Sequence, residues 1–168
     1  MNKPSRTGPS PATRRRIRLP RRSLREWGCF MDALLSLTLA QLAVRFVPFG
    51  RISRRLGIPN AESPGMNPRH LDASLGLVSW ALDAAARRLP WKCTCLVRAL
   101  AAHAMLHRRR IPSTLYLGVQ PDADRAPRLS AHAWLRSGES YVTGGVEREA
   151  FTSVASFADF VVQANRAS

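Results

Sequence analysis

Acidic residues are scarce. The 168-residue chain has 11 Asp and Glu against 26 Lys and Arg, a formal net charge of +15. Such a field draws acidic peptides, nucleic acid or anionic lipid and is silent about fold. Cysteine is scarce too: Cys29, Cys93 and Cys95 are too few for a disulfide scaffold and odd in number. Cysteines two residues apart rarely bridge each other. Free thiols in a reducing, cytoplasmic compartment are therefore expected. Aromatics make up only 7% of the chain and are not interleaved with the arginines. That excludes a base-stacking surface and leaves only unspecific attraction to phosphate. Long apolar runs are absent as well. The longest, ALLSLTLAQLAV (Ala33–Val44), is short for a membrane span and suits a buried helix.

What is abundant is arginine, above all near the start. Residues 1–23 are rich in Arg, Pro and Ser and hold no acid, which reads as a disordered, solvated tail. TRRRIRL has the look of a twin-arginine export signal. The apolar stretch after it comes too late, however, follows Asp32, and lacks a small-x-small cleavage site. The same arginines could hold the chain peripherally at an anionic membrane. Residues 24–168 read as one domain.

Ser23 to Phe46 carries Leu34, Leu35, Leu37, Leu39, Leu42 and Val44 almost all round, which predicts a helix packed on more than one side. Pro48-Phe49-Gly50 ends it. Arg51–Gly57 predicts a short helix closed by glycine, and Ile58–Pro68 a loop. A second long helix begins at Pro68, with Leu71, Leu75, Val78 and Leu82 inward, and stops at Pro90. A third runs from about Cys93 to Arg109, its inner stripe being Val97, Leu100, Ala101 and Ala104. After Pro112 the period changes to two. Thr114–Gln120 and Ala131–Arg136 predict strands, Ser137-Gly138-Glu139 a turn, and SYVTGG a third strand. The tail TSVASFADFVVQANRAS predicts a short helix. Helices followed by an antiparallel meander make an α+β layout.

PWKCTCLVR poses the chemical question: reactive thiolate, metal ligand or small core residue? Cys95 falls in the first turn of the third helix, where unpaired N–H groups and the positive end of the dipole favour an anion. A thiolate there is a nucleophile at neutral pH. Buried free cysteine is common, so the bland alternative stays open. His132 stands on a strand in A-H-A-W, where small neighbours leave room for the ring to meet another element. A helix-start cysteine followed by a strand histidine is the order of papain-like and transglutaminase-like enzymes. Zinc is disfavoured. His103 and His107 have a chelating spacing, but His103 lies about 12 Å along the axis from Cys95. No metal or cofactor is expected, and both histidines are assigned to a solvated face beside Arg108–Arg110.

Taken in order, P-W-x-x-x-C-L-x-R, R-x-I-P, L-x-x-G-V and A-H-A-W resemble the leader peptidases of lasso-peptide biosynthesis, the B2 proteins. These are similar to the C-terminal domain of the microcin J25 processing enzyme and have a transglutaminase-like fold. The resemblance covers most of residues 24–145. It implies a cysteine protease that removes the leader of a ribosomally made precursor peptide, with Cys95 as nucleophile and His132 as base. It further implies a separate leader-recognition protein of the B1 type and an asparagine-synthetase-like lasso cyclase as partners. The family commonly adds an aspartate about a dozen residues after the histidine. Here that place holds Thr143-Gly144-Gly145, with Glu139 before it and Glu147 after. Either a dyad suffices, or Thr143 or a nearby carbonyl orients the ring.

Overall fold

Ser23 sets where the first helix begins. Its hydroxyl accepts the Glu26 backbone N–H at 3.2 Å, and the Glu26 carboxylate accepts the Ser23 N–H at 2.7 Å. Two otherwise orphaned donors are satisfied by this reciprocal cap. The computed structural model describes residues 23–63, 71–121 and 129–159. The basic segment before Ser23 lies outside the described residues, as do residues 64–70.

Helix α1 (Leu24–Phe46) buries Phe30, Ala33, Leu37 and Ala40 on one face. Its other face leaves Leu24, Trp27, Met31, Leu35, Leu39, Leu42 and Phe46 exposed. The expected packing on more than one side is therefore corrected: among the described residues only one face is covered. Helix α2 (Phe49–Ser53) is one short turn later, and Ile58–Pro59 forms strand β1 inside what reads as a loop. Helix α3 (Asp72–Ala86) buries Leu75, Val78 and Leu82. Helix α4 (Cys95–Arg108) starts where the Thr94 hydroxyl accepts the Val97 N–H at 3.4 Å, so Cys95 is its first residue. Both α3 and α4 pack on α1, and α4 also packs on the sheet.

Strands β2 (Ser113–Pro121), β3 (Leu129–Ser137), β4 (Ser140–Thr143) and β5 (Thr152–Asp159) complete an antiparallel sheet ordered β1-β5-β2-β3-β4. The short helix predicted for the tail from Thr152 onward is corrected over Thr152–Asp159, which is a strand. Left alone, β2 would present a row of unpaired donors and acceptors along one edge, and β5 fills it. Residues 160–168 of that prediction lie outside the described residues.

Alternation sorts the sheet into two faces. Leu115, Ala133, Leu135 and Val142 join the helical core. Tyr116 and Trp134, directly paired across β2 and β3, stack at 5.5 Å on the other face. Gly118 makes that stack possible, because a Cβ there would sit 2.7 Å from the Trp134 ring.

Candidate active site

β4 is short. It ends opposite Leu135, leaving the first half of β3 unpaired on that side. At this gap the start of α4 and the face of the sheet remote from the helices come together around one cleft of about 330 Å³. Cys93, Cys95 and Arg98 line it from the helix side. His132, Thr143, Gly144 and Glu147 line it from the sheet and the turn after β4. Residues 37 positions apart in the chain are thus placed on one opening.

Cys95 is half-buried at the head of α4, where the first-turn N–H groups have no helical partner. Cys93 shares the cleft, but burial pushes its thiol up from the ordinary value, and Arg98 offsets only part of that. Arg98 is itself tied to Asp83 of α3 by an ion pair. Of the two cysteines, only Cys95 heads a helix.

His132 is 7% exposed and held on three sides. Its ring stacks on Phe151 at 4.9 Å and on Trp134 at 5.9 Å. Nε2 lies 3.1 Å from the Gly144 carbonyl oxygen. A carbonyl only accepts, so Nε2 must carry the proton, and Nδ1 keeps its lone pair in the neutral ring. Glu147 reaches to 3.6 Å from Nδ1, an ion-pair distance too long for a hydrogen bond. Gly144 suits its task in two ways. Its φ of +67° is cheap only for glycine, and a Cβ would lie 3.0 Å from His132 Nε2.

The three residues singled out in the sequence therefore share one cleft, with different contacts. Among the described residues no hydrogen bond joins Cys95 Sγ to either ring nitrogen of His132. Thr143 does not hold the ring: its Oγ1 is buried with no hydrogen-bond partner among the described residues, and the neighbouring Gly144 carbonyl occupies that place. The sequence does not point to Phe151, and it offers a nearby carbonyl only as an alternative to Thr143, without saying which. A backbone acceptor leaves no side-chain signature, and Phe151 lies in a stretch whose pairing was not anticipated.

His103 and His107 part company. His107 is exposed, with Nδ1 2.6 Å from Asp159 Oδ2. His103 is 6% exposed, which corrects its assignment to a solvated face; burial pushes its pKa down. Among the described residues no group of three His, Cys, Asp or Glu side chains is arranged to hold a metal ion.

A family model described as the transglutaminase-like superfamily matches residues 36–156, more than two-thirds of the chain. No curated protein and no solved structure matches it.

Proposed function

Because the chain belongs to the transglutaminase-like superfamily, we propose that it is a cysteine peptidase acting on the leader of a ribosomally synthesised lasso-peptide precursor before macrolactam closure. The observation that carries this reading is the shared cleft. The first residue of α4 is a cysteine, and a histidine whose Nε2 is held by a carbonyl lines the same opening. Apo sites often keep their catalytic hydrogen bonds long until substrate arrives, which accommodates the absence of a direct Cys95–His132 bond.

In this mechanism Cys95 passes its thiol proton to the Nδ1 lone pair of His132. Its sulfur attacks the carbonyl of the last leader residue, while the N–H groups at the head of α4 take the oxyanion. His132 Nδ1 delivers its proton to the departing core amine as the C–N bond breaks, leaving a thioester. Nδ1 then takes a proton from water, whose hydroxide releases the leader as a carboxylic acid and returns the thiol. The Gly144 carbonyl fixes the tautomer and orientation of the ring, the task for which related enzymes use an aspartate. A leader-recognition protein and a cyclase are the partners this role requires.

The test is a mass-spectrometric search for free leader after incubation with a lasso-peptide precursor and a leader-recognition protein of the B1 type. Parent and Cys93→Ala should release leader and core, while Cys95→Ala releases neither. Cleavage by Cys95→Ala as fast as by the parent defeats the mechanism. A leader–amine adduct in the presence of added amine would make the enzyme an acyltransferase. Silence from the parent with every partner present would leave a binding module without chemistry.

A further inference from the structure

The face of α1 that no described residue covers is a feature the cleft does not use. Its apolar side chains succeed one another three or four residues apart, as one straight helical stripe requires. They run about 33 Å at 1.5 Å per residue. Their exposure ranges from 48% at Leu42 to 91% at Leu24. Phe49, 40% exposed, carries the patch onto α2. Single exposed leucines need no explanation, but a contiguous patch of this length does.

Charge says what could cover it. Seven arginines lie between Arg14 and Arg25, and four more between Arg45 and Arg55. Glu26 and Asp32 are the only acids before Gly57. Neither is free: Glu26 caps α1, and Asp32 binds Arg108 at 2.5 Å and Arg109 at 2.8 Å. On α2 and just after it, the guanidinium groups of Arg51, Arg54 and Arg55 make no hydrogen bond or ion pair among the described residues. Along the sequence the stripe is thus flanked on both sides by arginines that far outnumber the acids.

We propose that α1 and α2 seat the protein on an anionic lipid bilayer, with α1 lying in the interface. A partner helix would need charged positions flanking the seam to fix its register. Between Ala33 and Val44 there are none. Trp27 near one end, and Phe46 with Phe49 at the other, suit the boundary between acyl chains and headgroups. By length and composition α1 could cross a membrane. Its inner face, however, is packed against α3 and α4, and Asp32 on its flank is bound to α4's arginine, so it lies on the bilayer instead. The groove between α1, α2 and α4, about 570 Å³ with Arg51 and Arg55 at its edge, adds room for part of a lipid beside the stripe. The catalytic cleft stays open. α1 packs on α3 and α4, not on the sheet where His132 resides, so this seat does not depend on the peptidase reading.

Co-sedimentation of the full chain with vesicles tests this, using phosphatidylcholine alone or mixed with phosphatidylglycerol. The expected result is binding to the mixed vesicles only, weakened by salt and falling about fivefold for each of Arg51→Gln and Arg55→Gln. Leu35→Glu with Leu39→Glu should abolish binding; unchanged circular dichroism would show that the fold survives, and the arginine variants decide if it does not. Equal binding to both vesicles, or to neither, overturns the proposal. So does a chain that ignores vesicles but forms a dimer that the arginine variants leave intact. Leader release assayed without lipid is read separately, so either proposal can fail alone.

Discussion

Gly144 holds more of the site than its lack of a side chain suggests. Its carbonyl fixes the His132 ring, and its φ of +67° points that carbonyl inward. In Gly144→Ala the new Cβ would lie 2.7 Å from the Ala133 oxygen and 3.0 Å from His132 Nε2. The left-handed conformation alone costs an L-residue about 1–2 kcal/mol. Thermal unfolding should therefore shift down, and turnover should fall about tenfold to a hundredfold, because small misplacements of a catalytic group are that costly. An unchanged turnover would mean that the carbonyl does not position the ring. A dozen residues after His132 is where the sequence already marked a missing carboxylate. What took the carboxylate's place was not legible there, since every residue has a carbonyl and only φ and contact show which one is aimed.

His103 is the second residue whose role the sequence hides. Four residues before an exposed histidine and close to three arginines, it reads as surface. Yet the turn of α4 that carries it faces the core. Burial lowers its pKa below 6.5, Asp159 opposes that and His107 adds to it. Below about 6.5 an unfolded histidine gains a proton that buried His103 takes up only at lower pH. Stability present above that pH should then be lost as pH falls toward the folded value. His103→Gln, neutral throughout, should flatten this acid limb in urea titrations across that range. A limb equally steep in the variant would place its cause elsewhere.

At the scale of elements, the helices were legible because apolar spacing, Pro48, Pro90 and the glycines punctuate them. β1 and β5 were not. Ile58–Pro59 is too short for a period to show, and the alanines and serines of Thr152–Asp159 suit a helix until β2 supplies a partner. α1 shows the limit from the other side: its sequence says apolar all round but cannot say which face is covered. The covered face is pinned by Asp32, which reaches Arg108 and Arg109 across from α4. Asp32→Asn should loosen this junction. These side chains are partly exposed, so the expected loss is about 1 kcal/mol or less, read from the urea midpoint. A gain in stability would show that the ion pairs do not recover their desolvation cost.

At the scale of the whole molecule, three layers divide the work. α1 forms the outer layer, α3 and α4 the middle one, and the sheet carries the histidine. The cysteine was legible from its helix-start position and the histidine from its strand. Their meeting place was not, because it depends on where β4 stops. Alkylation by iodoacetamide, followed at each cysteine by mass spectrometry in the parent and in His132→Ala, tests the pairing most directly and needs no substrate. The account predicts that Cys95 reacts faster than Cys93, and that its rate falls about tenfold or more without the imidazole. Cys95 reacting no faster than Cys93, at a rate indifferent to His132, would contradict it.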